Sequence, residues 1–530
     1  MGTHEQKNKC GNIFRTIVLA LGGFYFGYYL VIYNPLGYPV LVGVLGMNKE
    51  VDSSKINTTL GLINFLFPIG ALVSVILGGR LESKLGRRII LYSGEILALI
   101  TLVIYMFPNI PMICIARFLS GLVTGINLES YTIIMAEILP SKLISIGNAL
   151  AFFLIGLGIL MGLVCQNIFS YDTLVSYWRI FLLYPGLVSI FRLCSFPCVM
   201  PTETPEYIMD THKDLEKCKG ELIKAYGTIY TLETATEMAE EAIKHRQNKA
   251  AGTPALRFRE MFTKKYIKSL GAISLLCFIY QFSGVNYFSV YSTAVFDDIA
   301  GIGKEMSLAT GLAQVFFCLF TPLFMTKFGR KPLVVVGCFF QGVGFLIITI
   351  GYAYKSTWVM IVGAIFFEAL FCVAFGGTVS AFIGEALPAV GVGVVLAFQW
   401  ACAAIHGLVI PILRPRVGDL SLLLFFMTIC FVFSLVMYLV LVETKRKSLE
   451  LITDEFNLYN FFSFRKGCKV PTIDTREGGH EVVVSEPDET NRGSKNTNAD
   501  PRKIKISNNK VLPTLEDDPD DPPLGEEVKL

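Results

Sequence analysis

The sequence predicts an all-α membrane protein, with twelve transmembrane helices arranged as two six-helix halves. Three observations lead there. Of 530 residues, 53% are hydrophobic and only 17% charged, with a mean hydropathy of +0.55. Soluble proteins carry about 25% charged residues, so the main solvent here is lipid. Twelve apolar runs are long enough to cross a bilayer, which takes about 20 residues. Three landmarks also recur in order, roughly 240–250 residues apart, a period that means two domain-sized halves rather than a solenoid. Lys84-Leu85-Gly86-Arg87-Arg88 returns as Lys327-Phe328-Gly329-Arg330-Lys331, Glu137-Ile138-Leu139-Pro140 as Glu385-Ala386-Leu387-Pro388, and Glu203-Thr204 as Glu443-Thr444.

The elements follow in order. Residues 1–12 form a short polar N-terminus. The apolar run behind Lys7, Lys9 and Arg15 is longer than a signal-peptide core and lacks a small-residue cleavage site, so it reads as the first span. The first half, 13–200, holds spans at 13–33, 60–79, 89–107, 112–135, 144–168 and 178–200. A polar linker, 201–268, follows; its segment 213–247 is rich in Glu, Lys and Ala and predicts short helices. The second half, 269–442, holds spans at 270–295, 306–325, 332–354, 358–381, 392–413 and 420–442. The tail, 443–530, turns after about residue 466 to Gly, Asn, Asp and Pro and ends acidic. Such a stretch buries too little surface to offset its ordering entropy, so a disordered tail is expected, with a regulatory docking tail as the alternative.

Lys and Arg in the short loops set the orientation. Arg80, Lys84, Arg87 and Arg88 follow the second span, and Lys327, Arg330 and Lys331 follow the eighth. The loop after the first span offsets Lys49 and Lys55 with Glu50 and Asp52. Both termini are therefore expected in the cytoplasm, with the plasma membrane as the default location. Asn57-Thr58-Thr59 is a glycosylation sequon on the outer side, close to the second span.

Composition excludes several function classes. A net charge of +3 argues against a nucleic-acid partner. The thirteen cysteines have no framework or metal spacing, and most lie in apolar runs, where a thiol behaves as a small hydrophobe. No paired carboxylates or nucleophile motif stands in an aqueous segment, so no enzyme, cofactor or metal is expected. Two six-helix halves around a midplane cavity can rock and expose it to one side at a time, which is a carrier's machinery. Arginines at the cytoplasmic helix ends can hold Glu137 or Glu385 in ion pairs where water is scarce, latching the inner side shut. The plainer reading of these basic residues is topology anchors.

Ordered motifs over residues 15–455 resemble the sugar porter family of the major facilitator superfamily. Gly22-Gly23-Phe24 with Phe26-Gly27-Tyr28 is similar to its first-helix signature, and Gly79-Arg80-Leu81 through Arg88 to its first cytoplasmic loop. Arg117-Phe118, Gly121, Gly125 and Glu137 match helix four, and Trp178-Arg179 the start of helix six. Pro201-Thr202-Glu203-Thr204-Pro205-Glu206-Tyr207 resembles "PESPRY", Gln281-Phe282-Ser283-Gly284-Val285-Asn286 resembles "QLSGIN", and Glu443-Thr444-Lys445 with Ser448-Leu449-Glu450 resembles "PETKGRSLE".

The resemblance implies the major facilitator fold and a sugar site at Gln281, Asn286, Gln314, Gln399 and Trp400. Amides donate and accept as sugar hydroxyls do, and an indole offers a sugar ring an apolar face; interhelical glue is the structural alternative for buried amides. It also implies a cytoplasmic latch of Arg87, Arg88, Arg117, Glu137, Glu203, Arg330, Glu385 and Glu443.

The departures bear on substrate and coupling. Tyr29 stands where proton-coupled relatives carry an aspartate, which favours uniport. Glu129 and Glu368 lie within spans four and ten as candidates for proton coupling, with pairing to Arg117 or Arg192 as the structural alternative. The helix-five glutamine of many relatives is replaced by Phe152 or Phe153, and the helix-ten "GPxPW" gate by Gly376-Gly377-Thr378-Val379-Ser380. The reading is a facilitative carrier for a hexose or similar polyol, with a proton-coupled symporter and a nutrient-sensing transceptor as alternatives.

Overall fold

The computed structural model describes residues 9–48, 51–139, 141–212, 214–250, 258–290, 296, 301 and 303–458. Every regular element among them is helical. Eleven helices are long and apolar enough to span a membrane, or twelve when a bent pair counts as one span. The first half contains α1 (Cys10–Val44), α2 (Ser53–Leu85), α3 (Arg87–Tyr105), α4 (Ile110–Ile138), α5 (Ser141–Ile168) and α6 (Tyr171–Val199). Three linker helices follow: α7 (Pro205–Thr211), α8 (Leu215–Tyr226) and α9 (Leu232–Ala250). The second half contains α10 (Ile267–Val290), α11 (Gly303–Cys318), α12 (Thr321–Lys327), α13 (Arg330–Ala353), α14 (Thr357–Ala386), α15 (Ala389–Val417) and α16 (Asp419–Val440), and α17 (Leu449–Leu458) closes the described chain. The tail expected to be disordered lies outside the described residues from 459 on.

Several spans differ from their sequence outlines, three of them with a local structural feature at the difference. The first runs on from residue 33 to Val44, because its last turn, Pro39–Val44, widens to a π-helix. Proline stands at the start of that turn, inside the span, and cannot donate to the preceding turn. The second begins at Ser53, so the sequon is already helical: Asn57 is half-buried and accepts the Tyr38 hydroxyl. The eighth is broken, with α11 and α12 meeting at 46°. Pro322 opens α12 and cannot donate to the preceding turn.

Close helix contact within the first half depends on small residues. A Cβ on Gly27 would lie 1.9 Å from the Ile155 carbonyl, and one on Gly70 2.0 Å from that of Phe118, so α1 sits on α5 and α2 on α4 almost backbone to backbone. The halves meet along two seams, α2 against α15 and α5 against α11. The linker helices belong to the first half. Leu222, Tyr226, Ile229 and Ala239 join the core of Val18, Leu139 and Val199, and Arg15 donates to the carbonyls of Val199 and Thr228. Helix α17 joins the second half through Ile452 and Phe456.

Candidate functional site

The two copies of the basic loop have the same construction. Arg87 at the start of α3 forks onto Glu137 at the end of α4, at 3.2 Å from Nε and 2.9 Å from Nη2. Arg330 forks onto Glu385 at 3.1 and 2.8 Å. Each arginine also reaches the carbonyl five residues back, Glu82 at 3.5 Å and Met325 at 3.2 Å. Glu203 accepts the backbone N–H of Arg88, and Glu443 accepts those of Arg330 and Lys331. Both carboxylates rest on the loop glycine: a Cβ on Gly86 would come within 2.6 Å of Glu203, and one on Gly329 within 2.2 Å of Glu443. Burial raises the Glu203 pKa above the ordinary carboxylate range, partly offset by the N–H groups of Arg88 and Thr204. Arg88 itself donates to the Pro201 carbonyl and lies over the Tyr92 ring. Each clasp is internal to one half, so its direct effect is to fix helix ends within that half.

Arg117 does not belong to this cluster, which corrects the sequence outline. It lies in the second turn of α4, and Glu137 in the last, about 30 Å apart at 1.5 Å per residue. Its side chain is buried, donates to the carbonyls of Ile63 and Tyr29, and packs on the rings of Tyr33 and Phe67. A motif match carries no depth along the helix, and depth is what separates these two residues.

The residues expected to bind substrate line the seams. Gln281 ends the first stretch of α10, and Asn286 follows a break at Gly284 (φ +95°), where a side chain would strike Phe345. The break turns the Asn286 amide back to donate to the Gln281 side-chain oxygen. Gln314 is buried on α11, with its Cγ against Gly156 of α5. Trp400 on α15 meets two rings of the opposite half edge-on, Phe26 at 5.5 Å and Phe67 at 6.4 Å. The side-chain oxygen of its neighbour Gln399 is buried without a partner. Only Gln281 and Asn286 bond to each other; Gln314 stands on the α5–α11 seam and Trp400 on the α2–α15 seam.

Phe152, not Phe153, faces the second half. Its ring lies 3.0 Å from where a Gly376 side chain would begin, whereas Phe153 packs into its own half. Gly376 closes a π-helical turn, Phe371–Gly376, where the sequence lacks the usual prolines.

Neither Glu129 nor Glu368 takes the partners named for it. Both have a buried carboxylate oxygen without a partner. Arg192 is spent on Glu95, a residue the sequence reading passed over. Glu95 and Arg192 are fully buried and form an ion pair. Around them Arg192 donates to Asn127 and to the Val18 carbonyl, and Tyr25 donates to Glu95 at 2.5 Å and meets Ser189 at 2.7 Å. The network ties α1, α3, α4 and α6 together. The one legible signal was two opposite charges inside predicted spans, and their contact needs the bundle.

The model of the family described as sugar (and other) transporter matches residues 15–456. The chain belongs to that family. It is 27% identical over 449 residues to the arabinose-proton symporter of Bacillus subtilis (strain 168), covering 82% of this chain and 92% of that protein. It is 24% identical over 434 residues to facilitated glucose transporter member 7 of Mus musculus, covering 77% and 81%. The inward-open xylose transporter XylE of E. coli superposes with a TM-score of 0.68 at 20% identity, covering 85% of this chain and all of that one. The fold is that of the major facilitator superfamily.

Proposed function

We propose that the protein carries a hexose or a similar polyol across the membrane by alternating access, as a facilitative uniporter. One observation carries the reading: the polar groups suited to a sugar (Gln281, Asn286, Gln314, Gln399) all come from the second half. Opposite the seam positions stand Phe26, Phe67 and Phe152 of the first. One half grips by hydrogen bonds, and the other closes on the sugar with apolar faces. Its relatives support a sugar, since they include an arabinose-proton symporter and a facilitated glucose transporter. Arg117 supports uniport. Its guanidinium bonds to backbone carbonyls and aromatic faces, and Tyr29 stands where a carboxylate would answer it. The basic-loop end faces the cytoplasm in this reading, and the Arg87–Glu137 and Arg330–Glu385 clasps hold the helix ends on which that side opens and closes.

A substrate panel in liposomes, run with and without a pH gradient, tests the proposal. Saturable sugar exchange indifferent to a protonophore is the expected result. Accumulation that collapses with the proton gradient would replace uniport with symport, and no sugar exchange at all would remove the substrate class.

A further inference from the structure

The internal repeat supplies a control for one buried site. Residues 78, 82 and 129 of the first half occupy the same places as 321, 325 and 377 of the second, as the clasp geometry fixes. In the second half, Gly377 packs on Thr321, with the Met325 sulfur 4.0 Å from where its side chain would begin. That junction contains no ionisable group. In the first half the same junction is Gly78, Glu82 and Glu129. A Cβ on Gly78 would lie 2.0 Å from Glu129 Oε2, so the carboxylate occupies the space that the glycine leaves. Glu82, only 2% exposed, accepts the Ser130 hydroxyl at 2.7 Å on Oε1. Its other oxygen is buried without a donor, as is Glu129 Oε2, and the Glu82 charge acts directly on Glu129. Thr378, the counterpart of Ser130, has an unpartnered hydroxyl because methionine stands where Glu82 would be.

The fold therefore builds this junction without acids, and the acids are extra chemistry. One cation acts on the pair: Arg87 of α3 opposes the Glu82 charge, but its guanidinium is bound to Glu137. Glu95 of α3 is engaged by Arg192, and Glu206 of α7 lies on the Glu137 side. Residues 389–400 of α15 contain no ionisable side chain. Among the described residues no group of three or more His, Cys, Asp or Glu could hold a metal ion.

We propose that Glu82 and Glu129 form a two-carboxylate proton site, present in the first half alone, and that its occupancy sets how readily the basic-loop end opens. Two buried carboxylates that repel each other, each with one donorless oxygen, cannot both stay ionised, and the proton they keep belongs to the pair rather than to either residue. The site adjoins the Arg87 clasp and is separate from Gln281 and Trp400. Its proton therefore regulates the carrier and does not drive the sugar. The proton site stands independently of the substrate; its effect on exchange rests on the carrier reading.

The test uses the full chain in liposomes, in a Glu368→Gln/Glu137→Gln background that removes the two other carboxylates with a donorless buried oxygen. Infrared spectra need no sugar. They should show a protonated carboxyl C=O band at neutral pH that shifts in Glu129→Gln. The band should vanish in Gly78→Thr/Glu82→Met/Glu129→Gly, which installs the second half's own residues and so keeps a junction known to pack. A band that is missing, or that survives this swap, overturns the proposal. A band abolished by added Na⁺ also overturns it, because the site would then bind a metal cation. Sugar counterflow should change as pH rises above neutral, over about two pH units in which the pair loses its proton, and become flat in the swapped variant; equal pH dependence in both would overturn the regulatory role. Absence of any sugar exchange with the infrared result intact would refute the carrier reading and leave the proton site.

Discussion

Replacing Arg192 by Leu should be among the most damaging single changes in the first half. Arg192 and Glu95 are both fully buried, and Arg192 also bonds Asn127 and the Val18 carbonyl and lies 5.1 Å from the Phe196 ring centre. Its removal leaves the Glu95 charge with the Tyr25 and Ser189 hydroxyl network as its remaining support. Breaking one side of a buried pair typically costs about 3–5 kcal/mol, because the other charge is stranded away from water. Removing both charges is different. Apolar replacement of a whole buried pair is typically neutral, or stabilising by about 1–4 kcal/mol. The double variant Arg192→Leu/Glu95→Leu should therefore recover most of the loss. Thermal unfolding in detergent, followed by the monodisperse fraction on size exclusion, reads the cycle. A single variant as stable as the native chain would refute the reasoning. So would a double variant whose loss equals the sum of the two singles, since coupled charges cannot be additive.

Other outcomes follow from single contacts. Gly329→Ala places a carbon 2.2 Å from Glu443 and forces that carboxylate off two N–H groups, costing about 2 kcal/mol in thermal stability. Gly393→Ala, with nothing within 4 Å of the new carbon, should be silent in the same assay. Trp400→Ala loses two edge-on ring contacts, each worth about 0.5–1.5 kcal/mol, and should slow sugar exchange in liposomes without unfolding the chain. Gln281→Ala removes the acceptor of the Asn286 amide and should weaken sugar binding about tenfold or more by equilibrium titration. Phe152→Gln puts an amide at the seam beside Gly376 and should shift competition profiles toward more hydroxylated sugars.

Much of this was legible in one dimension because lipid simplifies the problem. A bilayer demands long apolar helices, so the span count and the polar linker could be read from composition alone. Repetition of Gly86, Arg87, Glu137 and Glu203 at Gly329, Arg330, Glu385 and Glu443 put the same residue types at both loops, and the Arg–Glu bonds match atom for atom; the second clasp adds the Arg330 N–H to Glu443 and the Thr444 hydroxyl to Glu385. What the repeat could not convey was depth and partner. Arg117 shares a helix with Glu137 but lies near its other end. Arg192 was a possible partner for Glu129 in sequence, yet in space it belongs to Glu95, on a helix nearly a hundred residues away.

The sequence by itself determined the class of the protein, its two halves, the loops that clasp each half and the family to which it belongs. Those features are local: hydropathy over a span, glycine and charge at fixed spacing. Only the tertiary structure decided which buried charges meet, that Phe152 and not Phe153 faces the second half, and that Glu129 fills the space beside Gly78 where Thr321 packs on Gly377. Each of those depends on which faces of two packed helices oppose one another, at what depth, and that is set by the close approach of glycines along the whole bundle rather than by any one segment.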